Sequence, residues 1–173
     1  CLSEPCVKSV VVRSVNGGYG STVNYSIAHA TGKYFKLRDG DDWFDCDGLA
    51  SVLERLENYE EDVIITDYYK GQSKESLAIL PMRNEDGRVV KVNEYKTNFP
   101  YGMWAIFYRT EILKESRIEL PKHTLYTDQM YSTIPFTFAN TIRFVKIPVY
   151  CYRRGREDQS TSKSSRVKHA DEM

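Results

Sequence analysis

The sequence predicts an α/β domain, a mixed sheet flanked by helices. Three observations carry this. A β-branched run at 8–14, a glycine-rich turn at 16–20, an amphipathic stretch to about Ala30 and an aromatic run at 34–38 give the order strand, turn, helix, strand. That is a βαβ unit, whose two strands run parallel. Leu49, Val52, Leu53 and Leu56 then recur at helical spacing and lead into an apolar strand centred on Val63-Ile64-Ile65. Finally, residues 70–100 alternate weakly around Asn84-Glu85-Asp86-Gly87, as a hairpin or meander does.

Bulk properties narrow the function classes. A chain of 173 residues suits one domain spanning 1–173 and can bury a real core. With 41% hydrophobic and 28% charged residues it is a globular composition, not a disordered one. Twenty-four basic residues balance 24 acidic ones, which argues against nucleic acid as a partner. No apolar run approaches the ~20 residues of a transmembrane segment. The cysteines at 1, 6, 46 and 151 form no Cys-x-x-Cys pair and read as reduced core thiols. An opening Cys1 in place of Met suggests a fragment or a processed product.

In chain order, Ser21 can cap the first helix, with Val23, Ile27 and Ala30 on its apolar face and Gly32 at its C-cap. The strand at 34–38 runs into an acidic turn. Asp47 caps the second helix, and 62–68 returns as a strand. A further strand covers 103–108, and Thr110 caps a short helix to Ser116. A helix begins near Asp128 and must end or kink around Pro135. The strand at 141–152 contains Pro148, so it is expected at an edge or with a bulge. Residues 162–173 read as the start of another helix.

The acidic turn, Arg38-Asp39-Gly40-Asp41-Asp42-Trp43, packs three carboxylates into four positions. Like charges that close repel and resist burial. Such a cluster is kept either as a solvated turn and helix entry, or by a hard divalent cation that prefers oxygen ligands. The glycine turn resembles a phosphate cradle at a helix N-terminus but lacks both the G-x-G-x-x-G spacing and a Walker lysine, so a tight structural turn fits it as well. Asp45-x-Asp47-Gly48 with Glu54 imitates part of an EF-hand loop, yet the first ligand position is Trp43 and a strand precedes it, which excludes that motif. Asp128 can be a general base or a helix cap. The three arginines at 153, 154 and 156 can clamp a diphosphate or pair with Glu157 and Asp158 in solvent.

Three segments in order, 16–24 (Asn-Gly-Gly-Tyr-Gly-Ser-Thr-Val-Asn), 30–36 (Ala-Thr-Gly-Lys-Tyr-Phe-Lys) and 39–43 (Asp-Gly-Asp-Asp-Trp), resemble the middle of the family 2 glycosyltransferases, which have the GT-A fold. The stretches 120–129 and 155–160 are similar to a bacterial branch of that family. The resemblance implies a Rossmann-like nucleotide-diphospho-sugar transferase, inverting and dependent on Mg²⁺ or Mn²⁺, that moves a sugar from a nucleotide-sugar, most often a UDP-sugar. The acceptor would be the hydroxyl of a saccharide or lipid-linked molecule in bacterial surface polysaccharide synthesis.

Asp39 and Asp41 match the Asp-x-Asp motif, holding ribose and metal, and Asp128 matches the base. The resemblance also implies donor contacts at Asn24 and Arg156 and acceptor contacts at Trp104 and His123. It implies a cytoplasmic enzyme, with peripheral contact to the inner membrane face left open. Two departures stand out. Thr127 replaces the Glu that often precedes the base, and the N-terminal strands that read the uracil are missing, so an interior piece of a longer enzyme is expected. A non-catalytic glycan- or partner-binding module of the same fold is the alternative. A nucleotidyltransferase ranks last, because the glycine turn lacks a basic residue for a triphosphate.

Overall fold

The computed structural model describes residues 16–73, 76–81, 85–95, 101–124 and 126–155. The strand expected at 8–14, the helix expected at 162–173 and Arg156 lie outside the described residues. Seven described strands form one mixed sheet: β1 (Tyr34–Phe35), β2 (Trp43–Phe44), β3 (Val63–Gly71), β4 (Ala78–Leu80), β5 (Val89–Lys91), β6 (Ile106–Arg109) and β7 (Thr141–Arg153). The order is β1-β6-β3-β7-β2, with β4 added to β3 and β5 to β7. The α/β class and the mixed sheet are as expected.

Alternation along β3 explains the two layers. Val63 and Ile65 face one side, with Val23 and Ile27 of α1 (Gly18–His29), Ile112 and Leu113 of α3 (Thr110–Glu115) and Tyr131 of α4 (Asp128–Thr133). Ile64 faces the other side, with Phe107, Val145, Val149 and the Val52 and Leu56 of α2 (Cys46–Leu56). Successive strand residues point to opposite faces, so one β3 supplies both cores.

Several expectations change in detail. α2 starts two residues earlier than predicted, because Asp45, and not Asp47, is the cap: its Oδ1 accepts from the Gly48 amide at 2.8 Å. Leu53 drops out of the predicted stripe and is 40% exposed. The strand expected over 34–38 forms a ladder only at Tyr34 and Phe35, antiparallel to β6. Beyond them Lys36 donates to the carbonyls of Trp104 at 2.6 Å and Ile106 at 3.2 Å, and Arg38 to those of Asp42 and Asp39. β4 and β5 do not pair with each other; each joins a longer strand.

β7 is central, not an edge, and pairs in parallel with β3 and antiparallel with β2 and β5. Pro148 is tolerated because the β3–β7 register shifts on both sides of its partner Asp67. Cys151 is the buried free thiol expected of the core, whereas Cys46, exposed at the start of α2, is disulfide-bonded and not a reduced core thiol.

Candidate active site

The end of β7 builds the site. Tyr150 is fully buried, and its hydroxyl donates to Asp42 Oδ2 at 2.6 Å while accepting from the Asp39 amide at 3.0 Å. Arg153 gives its backbone N–H to Asp42 Oδ1 at 2.8 Å. Asp42 is 4% exposed and has both oxygens committed. It is therefore the strut of the acidic turn. Oxygens of Asp39, Asp41 and Asp42 lie within 4.8 Å of one another.

The charge this concentrates is visible in Asp39. Burial, then the Asp42 and Asp41 carboxylates, raise its pKa to about 6, and the Tyr19 hydroxyl opposes the rise. Clustered carboxylate oxygens are the donor set a hard divalent cation takes. Asp39 and Asp41 fit such an ion on this ground, and Asp42 is held back by Tyr150.

Asp128 is the first residue of α4, behind a Thr127 that makes no side-chain cap bond. Its charge contributes to the upward shifts of Asp39, Tyr19 and Tyr152, which places it near the acidic turn. The loop before it is pinned by packing. The His123 backbone sits on Gly18, where an added Cβ would come within 2.9 Å of the His123 nitrogen. The Pro121 carbonyl packs on Gly20 more closely still, and Asn24 clamps Leu120 by accepting from its N–H and donating to its carbonyl, both at 2.9 Å. Left-handed φ values at His123 (55°) and Tyr126 (60°) show a loop held in a costly shape beside a site.

Of the residues singled out in the sequence, Asp39 and Asp41 lie together, and the charge of Asp128 acts on Asp39. His123 is exposed on the loop that leads to Asp128. Asn24 spends its amide on Leu120, which makes it a support of that loop. Trp104 stacks on Tyr152 at 4.5 Å and 12°, so that ring face is already covered. Arg153 anchors Asp42 through its main chain.

Sequence reasoning missed Tyr19, Tyr150, Tyr152 and Lys36. For Tyr19 a signal existed: a bulky phenol inside a glycine run. Tyr150 gave none, because its partner lies 108 positions away. Lys36 sits under the turn with its ammonium over the rings of Phe107 and Tyr150 at 4.6 and 5.2 Å, and burial pushes its pKa well down.

Comparison with known proteins bears on the same segments. The family model described as glycosyl transferase family 2 matches residues 4–121. EpsH of Bacillus subtilis (strain 168), which carries a glycosyltransferase name, is 26% identical over 155 residues, covering 83% of this chain and 44% of EpsH. Glycosyltransferase GlyA of Streptococcus pneumoniae serotype 4 is 17% identical over 164 residues, 88% of this chain and 23% of GlyA. The chain therefore spans less than half the length of either relative. Among solved structures, S. aureus TarS 1–349 in complex with UDP-GlcNAc superposes with a TM-score of 0.69 at 20% identity, over 87% of this chain and 43% of that one. The complex of the same fragment with UDP gives 0.64 at 21% identity, over 82% and 42%. These likenesses establish the GT-A fold. No helix among the described residues is long and apolar enough to cross a membrane.

Proposed function

The chain belongs to glycosyl transferase family 2, and from that premise we propose that it is the catalytic domain, or part of it, of an inverting, metal-dependent transferase using a UDP-sugar. The observation that carries this is the cluster of Asp39, Asp41 and Asp42 oxygens, with Asp128 near enough for its charge to act on Asp39. A matching fold in a protein solved with UDP-GlcNAc and UDP supports the donor class.

Asp39 and Asp41 would hold Mg²⁺ or Mn²⁺. Such an ion, when bound, neutralises the charge gathering on the departing diphosphate. Asp42, Tyr150 and the Arg153 amide hold the corner rigid, so its geometry is set before the donor arrives. Asp128 takes the proton of the acceptor hydroxyl as that oxygen bonds to C1 of the sugar. The C1–oxygen bond to the diphosphate breaks, its electron pair leaves with the nucleotide, and the anomeric centre inverts. His123 and the Trp104–Tyr152 stack border the acceptor side, and Arg156 is assigned to the donor. A saccharide or lipid-linked acceptor of a bacterial surface polysaccharide is the class we assign.

The test is calorimetric titration of the full-length protein with UDP. Saturable binding that disappears when Mn²⁺ is chelated is the expected result. No binding in either condition would favour a non-catalytic module of the same fold.

A further inference from the structure

Three aromatic residues form a cluster attached to the acidic turn. Trp104 stacks on Tyr152 with ring centroids 4.5 Å apart and 12° between the planes, and Tyr68 leans on the same indole at 5.7 Å and 56°. The cluster is fixed to the turn by direct bonds. Arg153, next to Tyr152, gives its N–H to Asp42 Oδ1 at 2.8 Å. The Trp104 carbonyl accepts from Lys36 Nζ at 2.6 Å, on the run that leads into Asp39. Tyr68 is the register partner, across β3 and β7, of the Tyr150 that holds Asp42. A Cβ on Gly102 would come within 2.3 Å of the indole, so Trp104 has no room to swing away on that side.

Packing accounts for these rings but not for their polar ends. All three residues are half-buried. Among the described residues neither the two hydroxyls nor the indole N–H has a hydrogen-bond partner, and none of these atoms is a buried orphan as the Tyr131 hydroxyl is. They therefore open to solvent. Tyr and Trp kept at such a boundary serve contacts that are apolar on one side and wet on the other. A pyranose has that two-sidedness, with C–H faces and a rim of hydroxyls. An acyl or isoprenoid chain would desolvate all three polar ends and pair none, which costs free energy for each. We propose that Tyr68 and Tyr152 are specificity-determining acceptor contacts, and that the acceptor presents a neutral pyranose hydrogen-bonded by their hydroxyls and the Trp104 indole N–H. This rests on the acidic corner being a nucleotide-sugar site.

The experiment uses the full-length protein with Mn²⁺ and UDP, and as probes the hexyl β-glycosides of glucose, galactose and their N-acetylamino forms. Saturation-transfer NMR, with irradiation of the protein's aromatic protons, reads which part of a probe is held, and titration gives its affinity. Saturation on the sugar-ring protons of at least one probe is expected. For the tightest probe, Tyr68→Phe and Tyr152→Phe are each expected to weaken binding about fivefold, the scale of one hydrogen bond, while calorimetric UDP affinity stays within about twofold. Saturation confined to the hexyl chain would overturn the inference in favour of a lipid. Unchanged probe affinity in either variant, or no saturable signal from any probe, would overturn it too. Equal weakening for UDP and probe would also overturn it, by making the cluster a support of the acidic turn. Failure of wild type to bind UDP would refute the nucleotide-sugar reading and this inference with it, an outcome distinct from the others, in all of which UDP binds.

Discussion

Asp128→Asn is expected to slow sugar transfer by about 10²- to 10⁴-fold, the usual contribution of a positioned general base. The substitution keeps the shape and removes only the ability to take a proton. Its structural cost is small: α4 has six residues, and the cap position belongs to Thr127. The lost charge–dipole interaction at a helix start amounts to about 0.3–1 kcal/mol. UDP affinity should therefore stay within about twofold while the chemical step, followed in a single turnover, collapses. An unchanged single-turnover rate would assign the base elsewhere.

The second large effect is a contrast between neighbours. Asp39→Asn is expected to stabilise the cation-free protein, and Asp42→Ala to destabilise it. Burial and the neighbouring carboxylates hold the Asp39 pKa at about 6 in the fold, against the usual 3.8 of an aspartate. Its protonated form is the one the fold prefers. The associated stability is fully present below the unfolded pKa and is lost as pH rises through about 6. Neutralising it should recover on the order of 2 kcal/mol at pH 8, discounting for partial solvent screening. The same change should flatten the stability profile between about pH 4 and 6.

Asp42 behaves oppositely because its oxygens are occupied. Truncation leaves the buried Tyr150 hydroxyl and the Arg153 amide without their acceptor, which costs about 2–4 kcal/mol. Urea denaturation with excess chelator, at pH 5 and pH 8, reads both. Destabilisation by Asp39→Asn at pH 8 would show that the cluster is not strained by its own charge.

The fold class was legible because periodicity is a local signal. The alternation through Val63-Ile64-Ile65 and the i, i+3, i+7 spacing of Leu49, Val52 and Leu56 specify elements without reference to the rest of the chain. Partnership is not local. Pro148 pointed to an edge strand or a bulge, and the shifted register opposite Asp67 is the second of these, which lets β7 run through the centre. The segments at 78–80 and 89–91 carried strand signals but nothing to say that each would join a different neighbour.

The site divides along the same line. The acidic turn and Asp128 stood out as residue types at spacings. Which carboxylate is the strut depended on Tyr150 and Arg153, more than a hundred positions away. Asn24 sits inside a recognisable motif, but its amide is engaged by Leu120, 96 positions on.

The central claim is that the Asp39–Asp41 corner takes a divalent cation close to Asp128. Amide NMR of the ¹⁵N-labelled protein under Mn²⁺ titration tests it most directly, because paramagnetic broadening reports nearness to the bound ion. Saturable broadening at Tyr19, through the acidic turn and at 126–130 is expected, with Val89–Lys91, paired to the opposite end of β7, left sharp. Broadening of the acidic turn that spares 126–130, or no saturable site at all, would contradict it.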